Sequence, residues 1–209
     1  HRFVNVMAAE QTMENPDWFQ GNADSARQSI QHLEEIVVSH ILILSGDQLY
    51  QMDYRKLLDF HMESKADITV STIPVSAAEA SRFGIMKVDG TGQIVLFHEK
   101  PALENLGHLE SKLPGRFDAG EFPEGRAYLA SMGIYLFRKE LLIKILSETS
   151  KHDFGANIIP DSISEYRVMS YPFSGYWADI GTIRSFYEAN LDLTANLPRF
   201  NFYQESNPI

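Results

Sequence analysis

The chain contains no cysteine, which excludes a disulfide framework and thiolate metal ligands. It has no apolar run long enough to cross a membrane, no signal-peptide pattern at its start, no low-complexity tract and no internal repeat. Basic residues are few, since 18 Lys and Arg oppose 28 Asp and Glu, giving a formal net charge of -10. Because clustered Lys and Arg are needed to neutralise a nucleic-acid backbone, this composition argues against a nucleic-acid partner. We expect a soluble, cytosolic protein that does not bind membranes.

The chain is long enough to bury one substantial core, and no Pro-, Gly- or Ser-rich linker divides its 209 residues. We therefore interpret residues 1–209 as a single domain. Strand and helix patterns follow one another along the sequence, which indicates an α/β fold.

The central stretch is HILILSGDQLYQMD, at residues 40–53. Its continuous apolar run, residues 41–44, is typical of a strand buried on both faces of a parallel sheet. Ligands of open α/β sheets bind at the carboxyl ends of strands, and here that end carries Gly46 and Asp47. Asp47 is therefore a candidate ligand for a hard cation. An ordinary turn with Asp47 as a helix cap fits these residues equally well.

Other strands are predicted at residues 3–8, 67–75, 128–137 and 168–173, and residues 83–88 and 93–98 are predicted to form a hairpin. Helices are predicted to begin at Asn22 or Asp24, at Asp53, after Phe137 and at Thr182. The inward faces of the first and last helices are Ala26, Ile30, Leu33 and Val37, and Ile183, Phe186, Tyr187 and Leu191. Residues 102–126 are predicted to form a long loop.

Three further positions carry candidate chemistry. Asp179 is a second acid on a loop between a strand and a helix, and two such acids suit a Mg²⁺ ion that keeps waters and substrate phosphates. Lys100 follows a strand and precedes a proline, so it is either a positioned cation or a solvated lysine. The small residues of Ser131-Met132-Gly133 would let a ligand approach a strand closely.

Taken together, these motifs resemble the ADP-glucose pyrophosphorylases (glucose-1-phosphate adenylyltransferases), a family of the sugar nucleotidyltransferase superfamily. The resemblance covers nearly the whole chain, in the family's order. The motifs that carry it are AAEQT (8–12), WFQGNAD (18–24), LSGDQLYQMDY (44–54), FGIMKVD (83–89), HEKP (98–101), LASMGIY (129–135), HDFG (152–155) and YWADIGT (176–182).

The resemblance implies a Rossmann-like (GT-A-like) mixed, mostly parallel sheet flanked by helices. It also implies transfer of the adenylyl group of ATP to glucose 1-phosphate, giving ADP-glucose and pyrophosphate in glycogen or starch synthesis. The catalytic residues implied are Asp47, Lys100 and Asp179, with Mg²⁺ held by Asp47 and Asp179. The sugar phosphate would contact Glu99, Lys100 and Ser131, and the nucleotide would border Gln11, Trp18, Gly21 and Asp47.

The family resemblance further implies a homo- or hetero-tetramer, placed in the plastid if the source is a plant. Three residues depart from the family's usual pattern: Asn22, Ser25, and Gln51 where a basic residue is common. The family's N-terminal glycine-rich segment and C-terminal β-helix have no counterpart in residues 1–209, so we expect these residues alone to be inactive. A related enzyme for another base or sugar, and a non-catalytic regulatory subunit of the same fold, remain open alternatives.

Overall fold

A computed structural model describes Val4, Val6, Met7, residues 18–111 and residues 124–198. The helices of this part are α1 (Asn22–Gln28), α2 (Ile30–Glu35), α3 (Tyr54–Glu63), α4 (Ala77–Ala80), α5 (Lys139–Glu148), α6 (Ile159–Ser162) and α7 (Ile183–Leu193). The strands are β1 (His40–Ile43), β2 (Gln48–Tyr50), β3 (Ile68–Val75), β4 (Gly84–Val88), β5 (Ile94–Glu99), β6 (Tyr128–Arg138), β7 (Val168–Pro172) and β8 (Trp177–Asp179).

The main sheet is built around β6, and its strand order is β5-β4-β6-β3-β7. β6 pairs with β3 on one side, and β4 and β1 share its other side. The mixed α/β class is confirmed, but the prediction of a mostly parallel sheet is wrong, because among the described strands only β3 and β7 run parallel. β4 and β5 are joined by a tight turn, which only antiparallel strands allow. β1 also runs antiparallel to β6, and its residues are only half-buried.

The core lies on both faces of this sheet. Alternate side chains of β6 point to opposite faces, so Tyr135 and Phe137 pack on one side while Ile134 and Leu136 pack on the other. Helices α1 and α5 cover the first face, and Leu57 of α3 covers the second. Packing from both faces fixes the strands whose ends carry the candidate site.

The helices predicted to begin at Asp53 and Thr182 are confirmed, and in each a capping side chain defines the start. Asp53 accepts a hydrogen bond from the Arg55 backbone N–H at the start of α3, and Thr182 accepts one from Ser185 at the start of α7. The helix predicted from Asn22 is instead divided into α1 and α2 at Ser29, and α1 starts after Gly21 without a side-chain cap.

Predictions of burial were less successful. Val37 lies beyond α2 and is fully exposed. The expected inward face of α7 is wrong, because its four apolar residues are at least 50% exposed, and Ala189 is the buried one. The strand predicted at residues 3–8 is wrong where it can be judged, because Val4 and Val6 lie outside any strand and are almost fully exposed.

The loop predicted at residues 102–126 is irregular where it is described, apart from a short 3-10 turn at Leu103–Asn105; residues 112–123 lie outside the described part. Within the described ranges, no helix is both long enough and apolar enough to cross a membrane.

His61 provides a test of the core through pH. The side chain is 1% exposed, and its Nδ1 lies 2.8 Å from Thr69 Oγ1. Burial lowers its pKa to about 4, helped by His40 and Arg138 and opposed by Asp67. His61 takes up its proton near pH 6.5 in the unfolded chain, whereas in the folded chain it does so near pH 4. Folding stability should therefore fall as the pH drops through this window, by about 3 kcal/mol.

Denaturant unfolding between about pH 7 and pH 4 measures this effect, with His61→Gln as the comparison because it lacks the titrating group. The wild-type protein should lose more stability than the variant over this range. Equal losses in the two proteins would contradict the assignment.

Candidate active site

One pocket collects five of the residues predicted to carry function. It lies where β5 ends and β4 begins, beside β6 and the two-stranded ribbon of β2 and β8. These five residues come from four separate stretches of sequence, and the fold brings them to one cavity. They are Asp47, Glu99, Lys100, Ser131 and Asp179.

The two candidate metal ligands meet through the β2–β8 ribbon. Gln48, directly after Asp47, is the register partner of Asp179, and the Ile180 backbone N–H donates to the Asp47 carbonyl at 3.0 Å. A β-carbon on Gly181 would lie 3.1 Å from Asp179 Oδ1 and 3.6 Å from Asp47 Oδ2. Both carboxylates therefore reach the same small space, which glycine leaves open.

The donor set at this space fits Mg²⁺. Mg²⁺ takes oxygen ligands and usually keeps several waters, so one or two protein carboxylates suffice beside substrate phosphates. In the described part of the chain no cluster of three or more His, Cys, Asp or Glu is placed to hold a metal. Asp47 and Asp179 would thus supply only part of the coordination of the ion, and waters and substrate phosphates would supply the rest.

Glu99 and Lys100 lie at the open end of the β4–β5 hairpin. The Lys100 N–H donates to the Phe83 carbonyl at 3.1 Å, and Lys100 has a positive φ of 45°, which turns the chain away from the hairpin. Its Nζ lies 3.8 Å from Glu99 Oε1. Burial raises the pKa of Glu99; the Lys100 charge opposes this shift and the Asp153 charge adds to it.

Ser131 lies beside a local irregularity of β6. The register between β3 and β6 shifts opposite the segment from Ser131 to Tyr135, and Gly133 within it has a φ of 66°. The Gly133 N–H donates to Ser131 Oγ at 3.2 Å. Irregularities of this kind redirect side chains next to sites. Here both Ser131 and Tyr135 line the pocket.

Sequence reasoning missed several lining residues. Tyr135 has its hydroxyl 3.5 Å from Ser131 Oγ, and burial raises its pKa to about 12, so it stays neutral. Asp153 lies in HDFG, one of the motifs that carry the family resemblance, and directly precedes the buried Phe154. Arg82 and Trp177 also line the cavity. Only the tertiary structure assigns these four residues to it.

Asn22 connects Asp153 to the first helix. Its side-chain amide donates to Asp153 Oδ2 at 3.1 Å and accepts from the Phe154 backbone N–H at 2.8 Å. The second Asp153 oxygen accepts from the Ala156 N–H at 2.7 Å. The carboxylate is therefore held in one orientation.

The predicted nucleotide-binding residues are placed less centrally. Gln11 lies outside the described residues. Trp18 is 70% exposed, and Gly21 packs against the His152 backbone, so neither lines the pocket. Asp47 does line it, and it also borders an adjoining cavity with Gly46 and Phe154.

Comparison with known proteins adds an independent observation. Residues 2–196 match the sequence model of the family described as Nucleotidyl transferase. Over 215 aligned residues the chain is 46% identical to the chloroplastic/amyloplastic small subunit of glucose-1-phosphate adenylyltransferase from Triticum aestivum. The alignment covers 99% of this chain and 45% of that protein. The chain therefore spans less than half the length of this relative.

Gly133→Ala should destabilise the protein. A β-carbon there would lie 2.5 Å from Ser45 Oγ, and the left-handed conformation costs a non-glycine residue about 1–2 kcal/mol. The free energy of unfolding should therefore fall by at least that amount, as measured by denaturant titration. Gly90→Ala is the matched control, because no atom lies within 4 Å of its added carbon. Equal stability of the two variants would contradict the argument.

Proposed function

This chain belongs to the nucleotidyl transferase family, and on that premise we propose that it forms the substrate site of a glucose-1-phosphate adenylyltransferase. The reaction is transfer of the adenylyl group of ATP to glucose 1-phosphate, which yields ADP-glucose and pyrophosphate. The observation that carries the proposal is the shared pocket of Asp47, Asp179, Glu99, Lys100 and Ser131. The named relative supports the choice of base and sugar.

In this proposal the pocket aligns a sugar-phosphate oxygen with the α-phosphorus of ATP. Two anions must approach each other, so orientation and charge neutralisation dominate the catalysis. Lys100 holds the sugar phosphate, while Glu99 and Ser131 accept hydrogen bonds from the sugar hydroxyls. Asp47 and Asp179 hold Mg²⁺, which when bound supplies positive charge for the phosphates.

We also propose the wider setting of this function. Residues 1–209 form one catalytic-domain portion of a longer enzyme that works as a homo- or hetero-tetramer. We place the enzyme in the cytoplasm, or in the plastid if the source is a plant, as the name of the wheat relative states for that protein. Gln51, where the family commonly has a basic residue, favours the regulatory subunit as the second candidate.

Turnover by the full-length protein tests these alternatives. Pyrophosphate release should be fastest with ATP and glucose 1-phosphate among a panel of nucleoside triphosphates and sugar 1-phosphates. A different preferred pair of substrates would show that the protein is a related nucleotidyl transferase for another base or sugar. Activity only after addition of a homologous subunit would assign the regulatory role.

Asp47→Asn should lower turnover by about two orders of magnitude or more, because it keeps the side-chain shape but removes a charge from the proposed metal site. Stability should change little, since Asp47 is exposed. Steady-state kinetics and thermal unfolding of the full-length variant give the two readouts. Asp59→Asn, an exposed acid on α3, is the control. Wild-type turnover in Asp47→Asn would refute the role.

Lys100→Ala should chiefly raise the KM for glucose 1-phosphate, because it removes the ammonium while keeping the β-carbon and the backbone conformation. We expect a change of about tenfold or more, measured at saturating ATP. Lys56→Ala, an exposed lysine on α3, is the control. An unchanged KM for glucose 1-phosphate would contradict this role and leave Lys100 as an ordinary surface lysine.

A further inference from the structure

Arg82 lies beside Lys100 at the open end of the β4–β5 hairpin. Gly84 pairs with Glu99, and the next pair outward joins Phe83 to Lys100 through the hydrogen bond described above. Arg82 directly precedes Phe83 and lines the same pocket as Lys100. Two cationic residues next to this end of the hairpin therefore line the cavity, and Arg82 also lines an adjoining cavity with Glu79 and Asp192.

The charges of the pocket indicate why a second cation, Arg82, would favour the binding of a phosphate. Among the described residues, four carboxylates line the cavity, those of Asp47, Glu99, Asp153 and Asp179. A sugar phosphate carries about two negative charges near neutral pH, so it is repelled by these groups unless cations offset them. Lys100 alone provides one charge at the hairpin end. Arg82 is the other cationic residue in the described part of the cavity lining.

The Arg82 guanidinium is also available for a ligand. Within the described ranges it forms neither a hydrogen bond nor an ion pair through its side chain, and it lies over the Phe83 ring at 5.5 Å. The nearby carboxylate of Glu79 already contacts Arg126 at 3.6 Å and accepts from the Ser76 backbone and hydroxyl. The Arg82 charge interacts electrostatically with this carboxylate, but within the described ranges no hydrogen bond or ion pair joins the two side chains.

The residue next to Arg82, Phe83, is connected through side-chain contacts to the ribbon that carries the candidate metal ligands. The Phe83 ring packs edge-on against Trp177 at 5.3 Å, and the Trp177 indole N–H donates to Gln48 Oε1 at 3.1 Å. Gln48 and Trp177 belong to the ribbon that carries Asp47 and Asp179. A phosphate held at Arg82 would thus lie between the hairpin and the acids.

We propose that Arg82 binds the phosphate of the sugar phosphate together with Lys100, its planar guanidinium contacting two phosphate oxygens. The proposal rests on the proposed function and extends it, since it assigns a residue that the family motifs do not include. Arginine suits this task because its donors form a fork that matches phosphate geometry.

The experiment compares Arg82→Gln, Arg82→Lys and the control Lys144→Gln in the full-length protein. Lys144 carries the same charge on α5, outside the pocket lining. Arg82→Gln should raise the KM for glucose 1-phosphate about tenfold at saturating ATP, with little change in the KM for ATP. Arg82→Lys should recover part of the loss, and Lys144→Gln should match the wild type. Calorimetric titration with glucose 1-phosphate alone should show the same order of affinity.

The outcomes separate this proposal from the function on which it rests. An active wild-type enzyme with an unchanged KM in Arg82→Gln would overturn the role of Arg82 and leave the proposed function intact. A rise confined to the KM for ATP would also overturn it, because the guanidinium would then serve the nucleotide phosphates. A wild-type protein that neither turns over nor binds glucose 1-phosphate would overturn both.

Discussion

The pairing of β6 with its neighbours is the constraint on which the rest of the structure depends. This strand forms hydrogen bonds with β3 on one side and with both β1 and β4 on the other. Its side chains alternate between two cores, so a shift by one residue would exchange their apolar faces. The same register fixes Ser131 and Tyr135 at the pocket. The register of β6 therefore determines both the packing of the core and the geometry of the site.

The second requirement is the ribbon of β2 and β8, which lies outside the main sheet. Each strand has only three residues, yet their pairing joins positions about 130 residues apart in the chain. Backbone hydrogen bonds therefore hold the two acids together despite their like charges. Trp177 anchors the ribbon by packing on Phe83, and this contact links the acids to the hairpin that carries Lys100. The small ribbon thus depends on the larger sheet for its position.

Sequence reasoning succeeded where the signal was local. Asp53 and Thr182 each cap a helix with their own side chain, and the apolar spacing of β3 to β6 sufficed to find these strands. Strand direction was not readable, because the apolar run of β1 fits either a parallel or an antiparallel neighbour. The prediction of a buried face on α7 failed for a related reason, since helical spacing reveals an apolar face but not whether another element covers it. Asp153 and Arg82 required the tertiary structure, because only the folded chain joins them to pocket residues from other stretches of the sequence.

The distribution of charge around the cavity then gives the proposed substrate an orientation. Carboxylates accept hydrogen bonds from sugar hydroxyls but repel phosphate, so Glu99 and the Asp153 held by Asn22 suit the hydroxyls of the proposed sugar. Lys100, whose Nζ lies 3.8 Å from Glu99 Oε1, and Arg82 suit the phosphate, so the sugar and its phosphate would both bind near the hairpin. The raised pKa of Glu99 reflects the cost of keeping a partly buried carboxylate near Asp153, a cost that sugar hydroxyl donors would reduce. A ligand that carries both hydroxyls and a phosphate provides partners for the carboxylates and for the cations of the pocket, which neither a neutral sugar nor free phosphate does.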